Sequence, residues 1–204
     1  MGQRIIKKLL LLLLSIVFVS CGGPSSSGDP DGVDAVDHRL FISSVTHSGK
    51  FLDGALEGLD AADKFCVDLA KAAGFTRDYK AILSDTSKDA QTRLFISGAV
   101  YTLSGTEKTL IAESGADLWN TGTSPLKNNI SRNENGDFVS GSVEMWTGTN
   151  RTGGKSPSHC NDWKSDSSTP KGSVGQLNVV GEAWIDNTFD RDCNSLFQVY
   201  CISQ

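Results

Sequence analysis

The 204-residue sequence has no block of basic residues: 19 lysines and arginines face 24 aspartates and glutamates, a net charge of −5. Phosphate backbones are bound by clustered Lys and Arg, so the composition argues against nucleic acid as the main partner. A membrane-crossing helix needs roughly 20 apolar residues. The apolar run from Leu9 to Val19 is too short for that and is interrupted by Ser15. There is no Cys-x-x-Cys pair, and His38, His47 and His159 do not join the cysteines at zinc-ligand spacing. No Gly-x-Ser-x-Gly surrounds any serine, which removes the usual sign of a hydrolase nucleophile. Internal repeats and coiled-coil heptads are missing too. What remains is an ordinary globular composition, 38% hydrophobic and 21% charged, with 21 glycines scattered among Ser, Thr, Asn and Asp. It describes one loop-rich domain rather than a helix bundle.

The amino terminus is an export signal. Arg4, Lys7 and Lys8 precede the apolar run, which ends in Phe18-Val19-Ser20-Cys21 followed by two glycines. This resembles a bacterial lipobox, in which the cysteine is acylated and the preceding peptide removed. Residues 1–20 are therefore expected to be a lipoprotein signal peptide and Cys21 the lipidated residue, anchored stably by two or three acyl chains. Removal of three cations leaves 16 positive and 24 negative side chains, a net of −8. Residues 21–37, with four aspartates and almost no apolar content, read as a flexible tether. The domain proper is expected over 38–204.

Four cysteines remain, Cys66, Cys160, Cys193 and Cys201, and an even number in an exported chain favours two disulfides. Three connectivities are possible, and spacing alone does not choose between them. Strands are expected at 40–45, 79–83, 100–103, 109–112, 143–146, 182–185 and 197–202, the last alternating Phe197, Val199 and Cys201 against Gln198 and Tyr200. One main helix is expected after Asp60, which would cap it, with Ala62, Phe65, Cys66, Leu69 and Ala73 on one face and Gly74 at its end. A short helical turn is expected at 90–94.

Several segments occur in a telling order. Gly58-Leu-Asp-Ala-Ala-Asp-Lys-Phe-Cys66 is followed by Gly74 and Tyr79-Lys-Ala-Ile-Leu83, then by Met145-Trp146-Thr-Gly-Thr. After these come Cys160-Asn-Asp-Trp163, Gly181-Glu-Ala-Trp184 and Cys193-Asn-Ser-Leu-Phe-Gln-Val-Tyr-Cys201. From Leu40 to Gln204 this series resembles the endostatin module of collagens, a divergent C-type lectin-like fold. With the lipobox in front, it resembles the leptospiral endostatin-like outer-membrane lipoproteins of spirochaetes. The resemblance implies an α+β domain of short mixed strands with one main helix. It also implies nested disulfides, Cys66–Cys201 and Cys160–Cys193, with Trp146, Trp163 and Trp184 packed near the second bridge. Collagen-derived endostatin carries zinc-binding histidines and an arginine-rich heparin surface. Here one histidine stands near the domain start and six arginines are dispersed in a −8 chain, so neither property is expected.

The expected function is that of a non-catalytic binding module at the outer-membrane cell surface. The resemblance suggests adhesion to laminin, fibronectin, plasminogen or complement factor H, with no cofactor and no resident metal. The loop surface from Gly105 to Ser158 is expected to be variable, and Trp119 in Asp-Leu-Trp-Asn is the candidate exposed contact. The alternatives are a calcium-dependent lectin, using Asp186 and Asp190 with Asn161-Asp162 and Asn187 as oxygen donors, or a structural envelope protein. An enzyme of the formylglycine-generating type would need free catalytic cysteines, whereas all four are expected to be paired. Lys155, Lys164 and Lys171 are expected near the second disulfide as a solvated face.

Overall fold

The computed structural model describes residues 31–204 apart from 33, 123, 124 and 142. The signal peptide, Cys21 and the tether as far as residue 30 lie outside the described residues. Among the described residues no helix is long and apolar enough to cross a membrane.

The chain's last strand organises the rest. β10 (Gln198–Ser203) is buried along its whole length. It pairs antiparallel with β1 (His38–Ile42) and β4 (Tyr79–Ala81), and parallel with β7 (Glu144–Trp146). Beyond β1 the sheet continues through the parallel β5 (Val100–Ser104) to β6 (Glu107–Ala112). Beyond β7 it continues through β8 (Lys171–Gln176) to β9 (Asp190–Asp192). The order is β6-β5-β1-β10-β7-β8-β9, with β4 also on β10. Successive strand residues point to opposite faces, so β10 serves two cores. Val199 and Cys201 join Phe41, Trp146 and Trp163, while Tyr200 and Ile202 join Leu40, Ile42 and Trp184. The alternation expected for this strand is present, but neither of its faces meets water.

The main helix, α1 (Leu59–Ala72), turns Leu59, Ala61, Ala62, Cys66 and Ala70 inward. Its cap is not Asp60 but Gly58, whose φ of 61° and near contact with the Asp162 carbonyl leave no room for a Cβ. Asp60 sits in the first turn, where a carboxylate still favours the helix dipole. At the other end Gly74 has φ 86°. The Gly74 amide donates to the Lys71 carbonyl and the Phe75 amide to that of Ala70, which closes the helix in a Schellman pattern. The disulfide Cys66–Cys201 fastens α1 to β10, and Cys160–Cys193 is the second bridge. The fold is α+β, mostly strands with one main helix and two nested disulfides. Of the shorter elements, β2 (Leu52–Asp53) and β3 (Leu56–Glu57) pair as a separate antiparallel hairpin before α1, and α2 (Ala90–Arg93) is the expected turn, whose Arg93 clamps Asp63 of α1 at 2.6 Å.

Three further expectations need correction. Residues 182–185 do not form a strand: Glu182–Trp184 is a 3₁₀ turn, and the adjacent Trp184 and Ile185 are both buried, which a one-sided strand does not permit. Trp184 lies with the first core rather than beside the second disulfide, where only Trp146 and Trp163 are found. The packed domain also starts before His38. Asp31 is fully buried, and its carboxylate accepts from the Thr76 amide at 2.7 Å and the Tyr79 hydroxyl at 3.1 Å. Arg77 donates to the carbonyls of Asp34 and Asp37, so the segment after Asp31 is held against the domain.

The bridges span 135 and 33 residues. On the loop-entropy argument, the paired change Cys66→Ala/Cys201→Ala is expected to cost about 5 kcal/mol and Cys160→Ala/Cys193→Ala about 4 kcal/mol. Denaturant unfolding of both variants under oxidising conditions checks the order and the size.

Candidate binding surface

The second disulfide begins a segment of strained backbone. Cys160, Asn161, Asp162 and Trp163 have φ of 51°, 56°, 57° and 60°, a single left-handed helical turn (α4, Cys160–Trp163). Left-handed helical backbone costs an L-residue roughly 1–2 kcal/mol. Several contacts offset that cost. Trp163 donates its indole N–H to the Ser84 carbonyl at 2.7 Å. The Asp162 carboxylate accepts from the Thr86 amide and hydroxyl at 3.0 and 2.8 Å, and the Asp162 amide donates to His159 Nδ1 at 2.9 Å. Burial pushes the Asp162 carboxyl up, but the two Thr86 donors together with the nearby His159 and Lys164 hold the group below the usual aspartate range. Gly49 and Gly172 let the backbone lie directly on the Cys160 sulfur. His159 therefore acts as a cap on this turn, and Asn161-Asp162 form the turn itself.

The bridge fixes Cys193, and the chain before it forms β9 and the loop 186–189. In that loop the side chains of Asp186 and Asn187 each accept a backbone N–H two residues on, from Thr188 and Phe189 respectively, at 2.9 Å. Asn187 also donates to Glu144 Oε1 at 3.1 Å. Arg191 grips Glu144 with two bonds, 2.6 Å from Nε and 2.7 Å from a terminal nitrogen. These bonds from Arg191 hold the Glu144 carboxyl below its ordinary value, against the opposing effect of burial. Asp190 accepts from the Ser158 and Ser173 hydroxyls at 2.6 and 2.8 Å. Thr188, a β-branched residue, has φ 68°, an outlier that the loop holds in place. At the tip Phe189 is 59% exposed, with the Arg191 guanidinium 5.3 Å from its ring centroid. The arrangement is a fixed loop presenting an aromatic ring beside an arginine. Aromatic residues and arginine are enriched at protein interfaces.

The candidates read from sequence fall differently. Trp119 is not an exposed contact: it is 7% exposed and stacked 5.9 Å from Trp184. The reason is local. Ser114 caps a turn of helix (α3, Gly115–Leu118) that rolls Leu118 and Trp119 into the first core, and Gly153 leaves space for the indole. Much of the stretch from Gly105 to Ser158 lies inside rather than outside, with Leu118, Leu126 and Ile130 buried. Asp186 lies in the loop and Asp190 opens β9, and their oxygens are engaged with Thr188 and with the two serines. Among the described residues no group of three or more His, Cys, Asp or Glu is placed to hold a metal ion. Lys155, Lys164 and Lys171 reach separate partners, the Thr86 carbonyl, Glu57 and Asp192, and do not form one basic face. Phe189, Arg191 and Glu144 were not singled out from sequence. The signal was a lone bulky residue in the polar run Asp-Asn-Thr-Phe-Asp-Arg-Asp, with no apolar neighbour to pair it into a core.

Glu144→Gln keeps the shape of the clamp and removes its charge. The expected loss is about 1 kcal/mol, after allowing for solvent at the 37% exposed Arg191 end. A carboxyl depressed in the folded state contributes above its unfolded value and loses that contribution as the pH falls. The difference between wild type and Glu144→Gln is thus expected to be constant above pH 4.5 and to shrink below it, measured by thermal unfolding across pH.

A sequence model of the family described as "Protein of unknown function (DUF1554)" matches residues 49–180, and no curated protein matches the chain. The matched segment contains Cys66 and Cys160 and ends before the loop that carries Phe189. The match spans well over half of the sequence, and the chain belongs to this family of unknown function.

Proposed function

We propose that this chain is a lipid-anchored outer-membrane lipoprotein, exposed at the cell surface, whose domain is a non-catalytic binding module for host macromolecules. It would stand with the leptospiral endostatin-like lipoproteins. Its partners are to be sought among laminin, fibronectin, plasminogen and complement factor H. The observation that carries the binding reading is Phe189, an aromatic ring held in water by a loop with a built hydrogen-bond scaffold. Burying it only on contact with a partner recovers the cost of that exposure. The four cysteines of the domain are paired with one another, which supports a binding module over thiol chemistry. Anchoring rests on the lipobox at Cys21.

Residues 31–204, oxidised and free of lipid, are titrated against each of the four proteins, with and without EDTA and at two salt concentrations. Saturable binding that EDTA leaves unchanged is expected for at least one. Phe189→Ala is expected to weaken that binding by about 30-fold, which corresponds to the 2 kcal/mol or more of an interface anchor, with unfolding unchanged. Binding to none of the four overturns the adhesin reading. EDTA-sensitive binding overturns it in favour of a calcium lectin.

A further inference from the structure

Phe95 is 79% exposed and Val36 is 66% exposed, the two most exposed large apolar side chains among the described residues. They belong to one edge of the fold. The Val36 carbonyl lies against Gly98, with no room for a Cβ between them, and accepts from the Ser97 hydroxyl at 3.4 Å. The Ser97 amide donates to His38 Nε2 at 3.0 Å, and the Ala99 amide to Asp37 at 3.1 Å. Segments 36–38 and 97–99 are thereby laced together, with Val36 at the start of one and Phe95 two residues before the other.

The strip lies where the chain enters the domain. Asp31, bonded to Thr76 and Tyr79, fixes that point, and Arg77 holds the carbonyls of Asp34 and Asp37. Nine residues separate Asp31 from Cys21. Whatever their arrangement, covalent geometry limits their reach to about 35 Å. A domain of this size is about 40 Å across. A lipid on Cys21 therefore keeps the entry edge, and with it Phe95 and Val36, within reach of the bilayer.

We propose that the edge bearing Val36 and Phe95 rests on the surface of the bilayer that holds the chain's own lipid, with these two side chains entering the interface. The inference rests on acylation of Cys21. Charge beside this edge is mixed: Arg77 donates to the carbonyls of Asp34 and Asp37, and Lys108 lies 3.9 Å from Asp34. The contact is therefore apolar rather than electrostatic, and it requires no anionic lipid.

The test uses the full chain, processed in bacteria. Metabolic labelling with palmitate, with Cys21→Ser as control, reports the anchor independently of the contact. The purified lipidated protein is then placed in phosphatidylcholine vesicles carrying brominated acyl chains, as Phe95→Trp, Val36→Trp or Phe189→Trp. The added indole emission of Phe95→Trp and Val36→Trp is expected to be quenched at least twofold more than that of Phe189→Trp, equally at low and high salt. Labelled protein in which all three reporters are quenched alike overturns the contact and leaves the anchor standing. Absence of label on Cys21 overturns both. A dimer in detergent that is lost on Phe95→Ser gives this edge to a second copy of the chain and overturns the bilayer contact.

Discussion

A strand with no solvent face is the constraint on which this fold depends. β10 is covered on one side by Phe41, Trp146 and Trp163 and on the other by Leu40, Ile42 and Trp184. Its backbone groups are shared among β1, β4 and β7. Each of those strands comes from a different part of the sequence, so β10 is the place where distant segments are brought into register. The Cys66–Cys201 bridge adds the helix to the same strand and closes a loop 135 residues apart in sequence. Irregular connections are tolerated because the strand they serve is fixed several times over.

The second bridge does a different job. It sits where four successive left-handed residues would otherwise relax, and where two glycines let neighbouring backbone press against its sulfur. Cys193 at its far end follows directly on β9, which is paired to β8 through Lys171 to Ser173. The loop carrying Phe189 is thus held by the disulfide on one side and by the Glu144–Arg191 clamp beneath it. Holding the loop before any partner arrives reduces the ordering cost of binding.

Legibility in the sequence followed burial and spacing. The helix around Cys66, the strands at β1, β5, β6 and β10 and the turn at Ala90 carry large apolar residues at the period their geometry demands. β8 was missed because Lys-Gly-Ser-Val-Gly-Gln has almost nothing a strand favours. Its glycines are there for clearance, Gly172 against Trp146 and Cys160, and Gly175 under the Trp184 carbonyl. Trp119 was misplaced for a related reason: a tryptophan among Asp, Asn, Thr and Gly reads as a surface residue, and only the Ser114 cap and the facing Trp184 turn it inward. The disulfide pairing was implied by resemblance, since spacing left three choices. Asp31 was hidden in a run with the composition of a tether, where one aspartate with Thr76 and Tyr79 as partners looks like any other.

Placement of Phe95 and Phe189 follows from the order of the sheet. Val36 and Phe95 lie on the segments that feed β1 and β5, while Phe189 feeds β9, four strands from β1. Neighbouring strands are about 4.8 Å apart, so some 19 Å of sheet lies between them in the hydrogen-bonding direction. A domain resting on one edge therefore keeps the other clear of the surface beneath it. The same β10 that joins the two cores sets this separation, since β1 and β7 are its flanking partners. Under the proposed lipid anchoring that division matters, because a binding loop on the tethered edge would be masked by the membrane.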